Sequence, residues 1–203
     1  MKKTIFFIAL ACPILSISLS AQINTFEKKF GGANYEIGKS MLKNSTEGFV
    51  ITGQTMSMGD TFGDSYLIKT DSLGTTIWEK NFPHYLLDGG NAIIQTSDGG
   101  YFITGHSETD LLDCQYFVLR LDSNGDTLWT KLYGGLMDDA ASAGIQCSDG
   151  GFLLAGFTEN FGAAGVDAYL MKLNAAGDSV WSQKYGGLLN DYANSNKSSI
   201  RSF

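Results

Sequence analysis

An internal repeat of about 50 residues constrains this chain more than any other feature of its sequence. Trp78, Trp129 and Trp181 lie 51 and 52 residues apart, and Phe26 precedes Trp78 by 52 residues. A second aromatic residue follows each of these anchors at the fourth position: Phe30, Phe82, Tyr133 and Tyr185. Agreement at fixed offsets indicates a stack of like structural units. The units run over 26–77, 78–128 and 129–180, with a partial fourth over 181–203.

Glycines recur at fixed places in these units. A Gly-Gly pair follows the anchor at 31–32, 134–135 and 186–187, and the second unit has Pro83-His84 there instead. Asp98-Gly99-Gly100 and Asp149-Gly150-Gly151 each follow an anchor by twenty residues. Glycine accepts the positive φ that tight hairpin turns need. Many of the 25 glycines therefore mark turns.

Four short strands account for each unit. The Trp strand is predicted as the first of the four, as at 129–133, and the other three are predicted in the second unit at 93–96, 101–104 and 117–121. Phe117 to Leu121 alternates with period two, as a strand between two packed layers does. Four strands per 50 residues is typical of a propeller blade. We therefore predict an all-β fold, a β-propeller-like array of four-stranded antiparallel blades with about three blades plus one strand. Each Trp is interpreted as a packing anchor between blades rather than a ligand platform.

These motifs resemble a known group of repeats. The pattern DGG-[YF]-x-[IL]-x-G followed by Y-L-[IM]-K-L-D-x-x-G-[DN]-x-x-W-x-K-x-[YF]-GG is similar to the glycine-rich repeats of secreted Bacteroidota-type proteins, and it covers 26–195. The resemblance implies a propeller fold, often with a C-terminal secretion-sorting domain and mostly without an assigned activity. Some such proteins are described as quinoprotein-like or as bulb-lectin-like. The printed sequence departs from the pattern in two ways, since it contains no segment that we expect to be a sorting domain and its fourth repeat stops early.

The N-terminus has the layout of a secretory signal peptide over 1–21. Lys2 and Lys3 precede an apolar run, and small residues before Gln22 offer a cleavage site. A lipoprotein signal ending at Cys12 is the alternative. We expect the repeat domain, 22–203, to be secreted or extracytoplasmic, with the cell surface as one such location. We expect no transmembrane segment in it. An oxidising compartment permits a disulfide between Cys114 and Cys147, although two separate buried thiols are the simpler interpretation.

The repeat breaks at 196–203. The third anchor predicts a segment similar to 93–100 and 144–151 there, but the sequence is NKSSIRSF. A frameshift or truncated gene is one interpretation, and a natural divergent cap is the other. Either leaves open sheet edges, so we expect edge-strand self-association.

A recurrent acid and two aromatic residues are the candidate ligand contacts. Asp88, Asp139 and Asp191 occupy one position in successive repeats, with Glu36 in the first. Tyr85 and Tyr192 lie beside them, and aromatic faces next to hydrogen-bonding groups suit sugars. A solvated loop or a carboxylate that caps the backbone is the structural interpretation of the acids.

Other chemistry has weak support in the sequence. The net charge of −7 lacks the basic footprint of a nucleic-acid binder. Asp122 to Asp126 has calcium-loop spacing, but the other repeats do not keep it, so a glycine turn is preferred. No triad, zinc site or cofactor is predicted. The predicted function is a structural or protein-interaction module without catalysis. A carbohydrate-binding propeller and a fragment of a quinoprotein-like or other propeller enzyme are the alternatives.

Overall fold

The computed structural model describes residues 27–44, 48–59, 62–83, 87–109, 113–160 and 165–194. The signal peptide, Phe26, Tyr85 and the divergent segment 196–203 lie outside these residues. The described part of the chain contains twelve β-strands and no helix. The all-β prediction is confirmed.

The strands form three four-stranded antiparallel sheets, each joined in chain order. The first sheet contains β1 (Glu36–Asn44), β2 (Gly48–Thr55), β3 (Asp64–Asp71) and β4 (Thr76–Phe82). The middle sheet contains β5 (Leu87–Gln95), β6 (Tyr101–Glu108), β7 (Cys114–Leu121) and β8 (Thr127–Tyr133). The third sheet contains β9 (Asp139–Gln146), β10 (Phe152–Thr158), β11 (Asp167–Leu173) and β12 (Ser179–Tyr185).

The sheets are one strand out of phase with the sequence units. The sequence units begin with their Trp strand, but Trp78, Trp129 and Trp181 lie on the last strand of a sheet. The reason is the short turn that precedes each Trp, Asp-x-x-Gly in the first two sheets and Asn174-x-x-Gly177 in the third, which pairs the Trp strand with the strand just before it. The strand predicted at Trp181 is present, but it is the fourth strand of the third sheet and not the first strand of a fourth unit.

The inner strands also begin earlier than predicted. The run expected at 93–96 is part of β5, which starts at Leu87 and includes Asp88. Each sheet repeats the same two irregularities, one on its first strand and one where the Trp strand begins. The repeat thus extends to the β-bulges, which bend and twist a strand locally.

The middle sheet is buried on both faces. Phe117, Leu119 and Leu121 pack toward the first sheet, whereas Tyr116 and Val118 on the same strand pack toward the third. This alternation confirms the period-two interpretation of β7. The result is two apolar layers, one between each pair of neighbouring sheets, as in other stacked repeats. The three described sheets stack in chain order, and they do not close into a ring.

Each interface is anchored by a tryptophan, as the sequence predicted. Trp78 meets Tyr101 of the middle sheet edge-on, with ring centroids 6.3 Å apart. Its ring also covers the turn at Gly125, where an added Cβ would lie 2.9 Å from the indole. Trp129 covers Gly177 of the third sheet in the same way. Both glycines have φ near +80°, so the turn and the ring contact each require glycine.

Ion pairs repeat beside the tryptophans. Lys80 Nζ lies 2.7 Å from Asp126 Oδ1, and Lys131 Nζ lies 2.7 Å from Asp178 Oδ1, in each case across to the next sheet. These pairs are solvent-accessible, so they contribute more to the register between sheets than to stability. The hydrogen bond from Lys131 holds the pKa of Asp178 below its ordinary value.

Candidate interaction surface

One end of the stack carries the connections that pass from sheet to sheet. Segment 134–138 joins the outer strand β8 to the inner strand β9, and segment 186–190 leaves β12 at the equivalent point. We call these two segments the rim loops. They begin with the Gly-Gly pairs of the repeat, and the short glycine turns lie at the opposite end of the sheets.

The rim loops expose large apolar side chains. Leu136 is 80% exposed and Met137 is 53% exposed, while Leu188 and Leu189 are 83% and 81% exposed. Single exposed apolar residues are normal on soluble proteins, but repeated pairs at one end of a stack are a feature of binding surfaces.

Side-chain hydrogen bonds hold the first rim loop in place. Asn160 Oδ1 accepts hydrogen bonds from the Leu136 and Met137 amides at 3.0 and 3.2 Å, and Asn160 Nδ2 donates to the Met137 carbonyl. Asp139 Oδ2 accepts from the Gly135 amide at 2.9 Å. The apolar side chains are therefore displayed by a backbone that Asn160 and Asp139 hold from outside the loop.

The second rim loop is held in a related way. The Gly187 amide donates to Asp191 Oδ2 at 3.1 Å, and the Val166 amide donates to Asn190 Oδ1 at 3.1 Å. The Asp191 amide in turn donates to the Val166 carbonyl at 2.7 Å. Both loops thus present a leucine pair or a Leu-Met pair on a hydrogen-bonded frame.

The recurrent acids, predicted as ligand contacts, form part of this frame. Asp139 is 1% exposed, and its carboxylate bonds to Gly135 and Asn160. Burial raises the pKa of Asp139, and the hydrogen bonds partly oppose that rise. Asp88 is fully buried on β5. The backbone-capping interpretation therefore describes the observed bonds of Asp139 and Asp191.

Of the two aromatic candidates, Tyr192 is among the described residues and Tyr85 is not. Tyr192 is 52% exposed and packs edge-on against Phe157, with ring centroids 5.4 Å apart. Tyr85 lies outside the described residues. In the repeat, Tyr85 takes the position of Leu136 and Leu188, so the sequence places it in the equivalent connection.

Sequence reasoning missed the apolar pairs of the rim loops. Their signal was present, because two large apolar residues directly follow Gly134-Gly135 and Gly186-Gly187.

The remaining sequence candidates have structural roles. Asp122 Oδ1 accepts hydrogen bonds from the amides of Asn124 and Asp126, which confirms the glycine turn. In the described part of the chain, no group of three His, Cys, Asp or Glu residues could hold a metal ion. Cys114 and Cys147 are both free thiols, so the disulfide alternative is wrong. Burial raises the pKa of Cys114 to about 11.

Comparison with known proteins assigns no family. No protein-family model matches the chain, and no curated protein matches it. Among solved structures, a eukaryotic initiation factor is similar over 79% of this chain and 35% of its own, with 10% identity and a TM-score of 0.47. A protein of unknown function from Bacteroides caccae is similar over 75% of this chain and 83% of its own, with 9% identity and a TM-score of 0.27. This chain spans about a third of the initiation factor chain.

Within the described residues, no helix is long and apolar enough to cross a membrane.

Proposed function

We propose that this chain is a secreted or cell-surface repeat module that binds another protein through its rim loops, with no catalytic step. The observation that carries the proposal is the exposure of Leu136, Leu188 and Leu189, each at 80% or more, on loops held by side-chain hydrogen bonds. A rigid loop loses little conformational entropy on binding, which favours affinity.

The signal-peptide layout supports the extracytoplasmic part of the proposal. The apolar run after Lys2 and Lys3, with small residues before Gln22, is the pattern that directs export. Recovery of the protein outside the cytoplasm with Gln22 as its first residue would test this directly. A cytoplasmic protein that retains Met1 would contradict it.

Substitution of the rim leucines tests the binding surface. The triple variant L136S/L188S/L189S is compared with the wild-type chain as bait for extracellular proteins of the source organism, with bound proteins identified by mass spectrometry. We expect a specific partner to be lost with the triple variant. Ile77→Ser and Leu128→Ser provide matched controls, because these residues are 58% and 56% exposed but lie on outer strands. A partner that binds the triple variant as well as the wild type would contradict the proposal.

Carbohydrate binding is the second candidate. It rests on Tyr192, whose ring is half exposed beside Asp191 and is held edge-on by Phe157. Exposed aromatic faces next to carboxylates bind sugars through stacking and hydrogen bonds. A glycan array with wild-type and Tyr192→Ala chains tests it. The candidate requires hits that the Tyr192→Ala chain loses, and an array without hits would exclude it for the glycans present.

A further inference from the structure

The end of the sheets that carries the rim loops has acidic connections without basic residues. We call it the rim end, and the second strand of each sheet also connects to the third there. The connections at this end are 31–35, 56–63, 83–86, 109–113, 134–138, 159–166 and 186–190. Their charged residues are all acidic, namely Asp60, Asp110, Asp113, Asp138 and Glu159. No lysine or arginine in these connections balances the acids.

Acids at the opposite end of the sheets are instead paired with cations. Four aspartates of the glycine turns each lie within ion-pair distance of a lysine or an arginine. The pairs are Asp98 with Arg120, Asp126 with Lys80, Asp149 with Lys172 and Asp178 with Lys131. Opposite charges held close together largely cancel at a distance, so these four acids contribute little to the field around the molecule.

Acids at the rim end bond mainly to backbone amides. Asp138 Oδ1 accepts a hydrogen bond from the Cys114 amide at 2.9 Å, and Asp191 Oδ2 accepts one from a rim-loop amide at 3.1 Å. An ion pair is also present at this end of the described part of the chain, where Lys184 Nζ lies 3.6 Å from Asp167 Oδ2. An amide orients a carboxylate but leaves its charge in place. Asp138 and Asp191 therefore keep charges that no cation among the described residues cancels.

Acidic and exposed apolar side chains are neighbours on the rim end. Asp138 directly follows the Leu-Met pair at 136–137, and Asp191 follows the leucine pair at 188–189 by two residues. Two further connections of the rim end each expose an aromatic residue at 55%, namely Tyr35 and Phe62. A partner that covers the apolar side chains must therefore also approach the carboxylates.

We propose, on the basis of the protein-binding function proposed above, that the rim end binds a basic amphipathic segment of another protein. In such a segment leucine-like side chains lie beside lysines or arginines. An apolar contact excludes water, and a carboxylate that loses its water without gaining a cation opposes binding. A lysine or arginine of the partner offsets that loss, and the opposite charges also speed the encounter of the two proteins. An acidic partner would be repelled.

A pair of synthetic peptides tests the sign of the charge. The peptides have equal length and the same spacing of leucines, but one has lysines between the leucines and the other has glutamates. Fluorescence anisotropy of each labelled peptide measures its dissociation constant with the full chain. We expect the lysine peptide to bind at least about tenfold more tightly, because like charges across a contact are unfavourable. Its affinity should fall as salt is added, since salt screens accessible charges.

Isosteric substitutions locate the attraction on the molecule. Asp138→Asn combined with Glu159→Gln removes two rim-end charges and keeps an acceptor for the Cys114 amide. This variant should weaken binding of the lysine peptide by about two- to tenfold, the range for two accessible ion pairs. Asp71→Asn combined with Asp122→Asn is the matched control, because it removes the same charge at the opposite end.

The control substitutions suit their turns. Asn174 holds the equivalent position in the third sheet, where its Oδ1 accepts a hydrogen bond from the Asp178 amide. In the middle sheet, Asp122 Oδ1 accepts from the Asp126 amide in the same way. The control should leave the dissociation constant of the lysine peptide within about twofold, because surface changes outside a contact have small effects.

The triple variant L136S/L188S/L189S distinguishes failure of this proposal from failure of the proposed function. It should lose the lysine peptide. A lysine peptide that binds no better than the glutamate peptide would overturn the basic partner. So would equal weakening by the rim-end variant and its control, or a lysine peptide that binds the triple variant as tightly as the wild type. In each case the protein-binding function would stand if the natural partner still requires the rim leucines, and it would fall if that partner binds the triple variant equally well.

Discussion

Asp139 and Asp191 occupy the same position in successive repeats, yet their carboxylates have different environments. Each accepts a hydrogen bond from the second glycine of a Gly-Gly pair. Asp139 is buried beneath its loop and also bonds to Asn160, whereas Asp191 is exposed. The Gly-Gly pair is explained by the same contact, because a Cβ on Gly134 would collide with the Asp139 carboxylate.

Replacement of these acids should therefore have unequal effects. Asp139→Ala leaves the Gly135 amide and Asn160 without their acceptor in a buried place, which costs about 2 kcal/mol of unfolding free energy. Asp191→Ala should change the unfolding free energy little, because water can reach its loop. Urea denaturation of both variants measures the difference. Equal losses would contradict the capping role assigned to Asp139.

Stability should fall when the exposed turn carboxylates are protonated. The hydrogen bond from Lys172 holds the pKa of Asp149 below its ordinary value of 3.8, and the one from Lys131 does the same for Asp178. A lowered pKa in the folded state adds stability above the unfolded pKa, and this is lost as the pH falls through the folded value. We expect the wild-type melting temperature to drop below about pH 4. The variant D149N/D178N should show a smaller drop, and an identical drop would contradict the assignment.

At the scale of the strand and sheet, much of the fold was accessible from the sequence. The DGG and Asp-x-x-Gly turns, the four strands per repeat and the alternation in β7 follow from local glycine chemistry and period two. The phase of the sheets was not accessible, because periodicity gives the repeat length but not which strands pair. The start of β5 was missed because Asp88, Gly89 and Gly90 disfavour a strand locally, and only tertiary contacts place them in one.

The tryptophan contacts allow a matched test of how sheets are held together. Trp129 is half-buried against Gly177 and Phe152, so Trp129→Ala should lower the unfolding free energy by about 3 kcal/mol. Trp181→Ala should have a far smaller effect, since that ring is 45% exposed and no described sheet covers it. Gly177→Ala should be destabilising as well, by more than about 1 kcal/mol, because it combines a φ of +81° with the ring contact. Equal effects of the two Trp substitutions would contradict the packing account.

At the scale of the whole molecule, the chain is a short stack in which each sheet contacts only its neighbours. The free energy of unfolding of such a stack is the sum of contributions from its sheets and from the interfaces between them. A sheet at either end has one neighbour instead of two, so it gains the free energy of one interface only. The rim loops project from one end of the sheets, and the outer faces of the first and third sheets lie at the two ends of the stack. Sequence alone revealed neither surface, because exposure depends on how the sheets are arranged. The acid positions near the rim loops were recognised, but their buried environment could not be read from one repeat.

The contact of each tryptophan with the turn of the following sheet is the central claim, and nuclear magnetic resonance tests it most directly. With labelled protein, we expect nuclear Overhauser effects from the Trp78 indole to the Gly125 α-protons and from the Trp129 indole to the Gly177 α-protons. Both glycines should show α-proton shifts moved upfield by the ring current. A nuclear Overhauser effect between the Trp129 indole and Gly125, which lies in the same sheet, would contradict the account. So would α-protons of Gly125 and Gly177 that show no upfield shift.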